Sequence, residues 1–421
     1  MNLVFFLLAL SAFTLAAWSD LRQGPGAMAA LADTALKAAE GAVPLALGLV
    51  GVMALFLGLM KGAEAGGMVR ALARLLAPVL TRLFPEVPAN HPAMGAMVMN
   101  VAANILGLGN AATPFGIRAM EHLERLNPAK GTASNAQVLF LAINTAGVTI
   151  LPTSVIALRA SLGATDPAAV VAPTLGATLV STLVAIAAAR LLQKVWASPT
   201  AAQPATEAGE HCCDGDDLPA VPPAPAWACW LAGLAVLAFI PVMAVWGAAL
   251  GPWIVPGLIV GLLGFGLARR VPVYEVFVDG AREGFAVAVR IIPYLVAILV
   301  AVGMFRSSGA MQAVLAPLGA LLAPLGVPAE ALAMAGMRSL SGSGSFGLLA
   351  SYLRDPAVGV DSATSVLLGT IYASSETTFY VIAVYFGAVG IRRIRHALAA
   401  GLIADLAGLV AAVALCRLLY P

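Results

Sequence analysis

Residues 362–390 read SATSVLLGTIYASSETTFYVIAVYFGAVG, two apolar runs joined through Ser374-Ser375-Glu376-Thr377-Thr378. Residues 134–158 read SNAQVLFLAINTAGVTILPTSVIAL, again apolar but interrupted by Asn144-Thr145 and then by Pro152. Each stretch is long enough to cross a hydrocarbon core of about 30 Å, yet each carries at its middle groups that lipid does not tolerate. Proline removes a backbone donor and breaks a helix, and hydroxyl side chains can pair with the carbonyls so freed. Irregular backbone at membrane depth persists only inside protein or beside water. The pair therefore predicts an all-α integral membrane protein with broken or re-entrant helices.

Composition points the same way. The chain is 61% hydrophobic and 10% charged, too little charge to cover a soluble surface. Val43–Met60 and Pro167–Ala189 are further uncharged spans, and Trp227–Ala268 is long enough for two passes. Asn2–Ala17 lacks the basic start of a secretory signal and is followed by Asp20 and Arg22, so it reads as a retained first helix. The expected location is a bacterial inner (cytoplasmic) membrane, multi-pass. Net charge is +2 with the basic residues scattered, which leaves no nucleic-acid footprint and does not set the orientation. Cys212, Cys213, Cys229 and Cys416 form neither a disulfide framework nor a zinc spacing, and His211-Cys212-Cys213-Asp214 reads as solvated linker rather than a metal site. No nucleophile pattern, acid–base set or lysine-bearing glycine loop is visible. The sequence predicts no enzyme, cofactor or ATP-driven pump.

Residues 198–225 are rich in Ala and Pro, carry Glu207, Glu210, Asp214, Asp216 and Asp217, and have no apolar period. They read as a disordered linker between two membrane domains, 1–197 and 226–421. The halves share an order of elements. Glu40-Gly41 and Glu283-Gly284 each precede an apolar helix. An amphipathic stretch follows, Gly67-Met68 through Pro78 and Ala310-Met311 through Pro317 and Pro324. In the first half Arg70, Arg74 and Arg82 punctuate its leucines, which suits a helix lying in the membrane interface. Two passes within Trp227–Ala268, against one before the first repeat, would turn the second half over. Inverted repeats of this kind build secondary transporters.

Two polar windows per half are the candidate solute contacts. The first is Asn100, Asn104, Asn110 and Thr113 among glycines, matched by Ser341, Ser343 and Ser345. The second is Asn144 and Thr145, matched by Ser375, Glu376, Thr377 and Thr378. Small and polar residues also cement neighbouring helices; their recurrence at matching repeat positions favours a solute path. Glu376 is the sharpest single signal, because a carboxylate within a membrane segment costs at least ~2.5–3.5 kcal/mol on insertion scales. It is the candidate coupling-ion residue, for a proton or sodium, with a structural ion pair as the alternative. Asp405 is a weaker candidate, nearer an arginine-bearing end.

Asn100 through Met120, Leu141–Thr145 and Ile150–Thr153 resemble spore maturation protein A. Arg270–Phe277, Ser339–Gly342, Glu376–Tyr380 and Val384–Ile391 resemble spore maturation protein B. The chain looks like a fusion of the two families, both within the nucleoside-recognition (Gate) group, whose domains also occur in concentrative nucleoside transporters and ferrous-iron permeases. The resemblance implies an inner-membrane transporter or channel-like protein, without fixing its substrate. The expected partners are the lipid bilayer, a small polar solute (nucleoside-like, amino-acid or dipeptide-like, or an organic anion), a proton or sodium ion, and a second copy in a homo-oligomer. A non-transporting scaffold for envelope or spore maturation is the competing reading. Transport predicts a hydrated cavity lined by Asn104, Asn144, Ser341 and Glu376, whereas a scaffold predicts a filled interior.

Overall fold

The computed structural model describes residues 2–107, 109–196, 225–311, 313, 317 and 327–420. The first half runs α1 Asn2–Gln23, α2 Ala27–Ala65, α3 Met68–Leu83, α4 Pro92–Ile105, α5 Gly109–Leu126, α6 Asn135–Thr145, α7 Thr153–Ser161 and α8 Val171–Leu192. The second runs α9 Ala226–Ala268, α10 Val273–Ser307, α11 Ala329–Leu340, α12 Gly342–Arg354, α13 Ala363–Ala373, α14 Thr378–Ala388 and α15 Ala397–Leu419. Both halves contain a long helix, a short helical hairpin, a broken helix and a closing helix, in that order. Apart from Pro225, the linker lies outside the described residues, as does most of the second amphipathic stretch.

Phe5–Arg22, Ala27–Ala65, Pro167–Leu192 and Ala397–Leu419 are each long and apolar enough to cross a membrane. Leu183, Leu191, Leu406, Val410 and Leu418 stand exposed on the closing helices, an apolar face suited to lipid. The protein is a multi-pass membrane protein. Asp20 caps α2, its carboxylate accepting from the N–H groups of Gly26 at 3.0 Å, Ala27 at 2.6 Å and Met28 at 3.2 Å. The amphipathic expectation for the first half is met by α3. Val69, Ala73, Ala77 and Leu80 are buried on one stripe, while Arg70, Arg74 and Arg82 are exposed.

The directions of equivalent helices show the inversion. Gly58 of α2 lies against Phe277 of α10, Gly284 against Ala54, and Gly303 against Ala38 and Thr34. Numbers rise on one helix as they fall on the other, so α2 and α10 are antiparallel. The closing helices α8 and α15 are antiparallel too. Trp196 lies beside His396, Ser181 Oγ donates to Ala404 O at 2.9 Å, and Tyr420 OH donates to Ala169 O at 2.7 Å.

Helix α9 supplies the extra crossing. It is assigned as one element of 43 residues, which drawn straight would be about 64 Å long. Yet Cys229 near its start donates to Leu75 O at 3.4 Å, and Phe265 near its end lies against Gly66. Both contacts belong to the neighbourhood of α3, a helix of 16 residues and about 24 Å. So α9 doubles back and makes the two passes expected of Trp227–Ala268.

The broken helices α6–α7 and α13–α14 cross side by side in opposite directions. At one end Ala133 N–H donates to Arg393 O at 3.0 Å and Arg395 Nη1 donates to Asn135 Oδ1 at 2.9 Å. At the other, Arg159 Nη1 donates to Ser365 Oγ at 2.7 Å and to Val360 O at 2.9 Å. Each half thus sends an arginine from the exit of its broken helix to the entry of the other's.

Candidate functional site

At the middle of that crossing the two breaks touch. Helix α6 stops at Thr145 because Gly147 and Pro152 follow; α13 stops at Ala373, and the chain re-enters helix at Thr378. A broken helix leaves carbonyls without partners on one side and N–H groups without partners on the other. Here one half satisfies the other: Glu376 N–H donates to Thr145 O at 2.7 Å. Within lipid an unmet backbone group costs several kcal/mol, so this bond locks the two breaks together. Local hydroxyls serve the same purpose. Thr145 Oγ1 donates to Leu141 O at 3.0 Å, Ser374 Oγ to Ile371 O at 3.0 Å, and Thr182 Oγ1 to Ala146 O at 2.6 Å.

Each helical hairpin brings its tip to its own half's break. Between α4 and α5 the chain turns through Gly107, whose φ of +77° is the left-handed region that favours glycine. A Cβ there would lie 2.7 Å from Leu151 O. Ile150 N–H donates to Ile105 O at 3.1 Å, and Asn104 Nδ2 donates to Asn144 Oδ1 at 2.9 Å. Tyr385 of α14 joins this layer from the other half. Its hydroxyl donates to Asn144 Oδ1 at 3.3 Å and accepts from Asn100 Nδ2 at 3.2 Å. Asn100 also donates to Ala112 O at 2.8 Å.

In the second half Ser341 separates α11 from α12, its Oγ accepting from Gly344 N–H at 3.0 Å. Arg338, three residues earlier, is buried and reaches the α13/α14 break. Its Nε donates to Ser375 O at 2.7 Å, Nη2 bonds the same oxygen, Nη1 donates to Thr377 Oγ1 at 3.5 Å, and the guanidinium lies 4.6 Å over the Tyr372 ring. Nη2 also pairs with Glu376 Oε2 at 3.3 Å, the arginine side chain being 7% exposed and the carboxylate 57%.

The candidate residues therefore divide. Asn100, Asn104 and Asn144 form one bonded layer, Thr145 and Glu376 join the halves, and Ser375 and Thr377 hold Arg338. Ser341 is buried at the turn. Thr378 packs beside Thr145 against Gly401 and donates to Asp405 Oδ2 at 2.7 Å. Ser343 is exposed on α12, and Ser345 is buried with its hydroxyl turned back to Gly342 O at 2.9 Å. Thr113 is half-buried in α5, and the side chain of Asn110 lies outside the described residues. Glu376 sits at an open break rather than within apolar helix, and it has a fixed cation. Sequence neighbours could not show that partner, which lies 38 positions away. Tyr385 carried no signal beyond an aromatic in an apolar run.

A cavity of about 180 Å³ borders the second break, lined by Arg338, Ser339, Ser374, Ser375 and Asp405 with Leu402, Leu406 and Leu409. It lies on the serine and arginine side; the expected Asn104, Asn144, Ser341 and Glu376 are not part of its lining.

The Gate family, described as nucleoside recognition, matches residues 46–165. That span covers the α4–α5 hairpin and the α6/α7 break. Spore maturation protein A of Bacillus subtilis (strain 168) is 43% identical over 154 residues, covering 37% of this chain and 79% of that protein. Spore maturation protein B of the same organism is 42% identical over 166 residues, covering 39% of this chain and 92% of that protein. A solved structure described as "Structure of CNTnw in an inward-facing substrate-bound state" aligns with 99% of this chain and 97% of its own, at a TM-score of 0.47 and 16% identity.

Proposed function

The chain belongs to the spore maturation protein A and B family of membrane proteins, and from that premise we propose that it carries a small polar solute across a bacterial inner membrane. The observation behind this reading is the meeting of two helix breaks from inverted halves, Thr145 O against Glu376 N–H at 2.7 Å. Such a crossing gathers polar side chains of both halves where the helices are interrupted, the exposed Glu376 carboxylate among them. Glu376 presents an exposed carboxylate held by a buried guanidinium, so it can bond a solute hydroxyl or amine while Arg338 keeps it oriented. The nucleoside-recognition description of the matched family supports nucleosides as the first solutes to try. Amino acids, dipeptides and organic anions fit the same polar lining. Coupling to a proton or sodium would enter through the Arg338–Glu376 pair, since changing the charge near it changes what the solute meets. The work is carriage rather than catalysis.

The test is uptake of labelled uridine, adenosine, alanine, a dialanine peptide and succinate into proteoliposomes, each with no gradient, a pH gradient or a sodium gradient. Accumulation of one class above empty vesicles is expected. No movement of any solute would favour a scaffold, a reading that has one observation of its own: the asparagine layer spends its hydrogen bonds inside the protein, and Asn100 is fully buried.

A further inference from the structure

A second carboxylate shares the cavity with Arg338. Asp405 lies inside α15, and its Oδ2 accepts from Ser339 Oγ of α11 and Thr378 Oγ1 of α14, both at 2.7 Å. Its Oδ1 is buried and has no hydrogen-bond partner among the described residues. The groups facing it are Arg338 and Ser339 from α11, Ser374 and Ser375 from the α13/α14 break, and Thr378 from α14. Leu402, Leu406 and Leu409 of its own helix, with Ala335 of α11 and Ile371 of α13, complete the described lining. Ser181 of α8 bonds the Ala404 carbonyl, and Thr145 of α6 lies near Gly401, one turn before Asp405, where Thr378 also packs. Among the described residues, Arg338 is the only other charged residue lining the cavity.

We propose that Asp405 is the carboxylate that takes up and releases the coupling proton, with Arg338 linking it to Glu376; this rests on the carrier reading above. The arrangement supports both protonation states. Two hydroxyl donors on Oδ2 hold the anion, while the bare Oδ1 in a low-dielectric setting is where a proton would remove the charge. The guanidinium on the cavity wall opposes any added positive charge, but a proton needs only the bare Oδ1, whereas a sodium ion would need a shell of several oxygens beside that charge. In the structure Arg338 makes its ion pair with Glu376 and none with Asp405 among the described residues. When Asp405 gives up its proton, a negative charge appears in the cavity that Arg338 lines. The guanidinium is then drawn from Glu376, and the carboxylate facing the solute loses its partner. Proton release at one acid is thereby felt at the other.

The experiment titrates the purified full-length protein in lipid while infrared difference spectroscopy follows the carboxyl C=O stretch. A protonated-carboxyl signal that fades as pH rises is expected in the wild type and in Glu376→Gln, and is lost in Asp405→Asn. Ser339→Ala and Thr378→Val, which each delete one donor to the anion, move its midpoint to higher pH. The same signal persisting in Asp405→Asn, or vanishing in Glu376→Gln, overturns the proposal. So does a signal displaced by sodium at fixed pH and ionic strength, which would assign a sodium site. Should Asp405→Asn fail to fold, the Ser339→Ala and Thr378→Val midpoints decide, and unchanged midpoints overturn the assignment. The measurement uses no solute, so a failed uptake panel counts against the carrier reading alone.

Discussion

Arg338 is the residue that makes Glu376 intelligible. It was visible in the sequence as the first letter of a serine-glycine run, but its partners come from 37 to 39 positions away, where no local pattern reaches. The asparagines were easier to read, because amides inside an uncharged membrane-length window must bond something. Asp405 read as the weaker acid because distance from a helix end was the only gauge, whereas its bonds to Ser339 and Thr378 depend on the folded crossing. Arg338→Ala should lower stability by about 1–3 kcal/mol by leaving the Ser375 carbonyl and the Glu376 carboxylate without a donor. Arg338→Lys should recover part of this, since one ammonium cannot reproduce the planar fork; thermal unfolding in detergent measures both. Glu376→Gln should cut solute uptake by about tenfold or more while leaving thermal unfolding near the wild type. Outside the spans, His396 is buried at the entry of α15 with Arg395 beside it. Burial first, and then the Arg395 charge, hold its imidazole below the ordinary value. The unfolded chain therefore binds the proton more readily, and stability falls as pH drops through the ordinary histidine value near 6.5. Unfolding at pH 7.5 and 5.5 should show a loss in the wild type that His396→Gln diminishes.

At the scale of elements, the breaks were legible and their neighbours were not. Pro152 and the Ser/Thr/Glu cluster placed two interruptions, because each has a direct backbone cause, whereas the α4–α5 hairpin was read only as a polar window among glycines. Ser345 looked equivalent to its neighbours yet lies inside α12, where its hydroxyl simply returns to Gly342 O. The close packing of α2 on α10 had no sequence reading at all, since glycine spacing alone does not say what approaches. Cβ atoms at Gly280 and Gly284 would come within 2.6 Å of Lys61 Cβ and 2.7 Å of Ala54 Cα respectively, whereas one at Gly303 would be 3.5 Å from Ala38 and Thr34. Gly280→Val and Gly284→Val should each cost about 1–3 kcal/mol by forcing the helices apart, and Gly303→Ala should be tolerated. Thermal unfolding ranks the three directly.

The whole molecule is two halves of like order run through one another in opposite directions. The linker and the doubled span at Trp227–Ala268 announced the inversion, but the reciprocal arginines, Arg159 and Arg395, emerge only once the broken helices lie side by side. Because Asp361 and Arg392 are exposed at opposite ends of α13–α14, single cysteines there, in a background without the four native ones, should react with an impermeant maleimide from opposite faces of oriented vesicles. The central claim is that both halves build one solute site, and retention of metabolites tests it most directly. Purified wild type, Asn144→Leu and Glu376→Gln would each be incubated with a polar metabolite extract, washed, and their released solutes identified by mass spectrometry. A solute kept by the wild type and lost from both variants, one altered in each half, is the predicted result; a solute kept equally by all three, or none kept by the wild type, would contradict it.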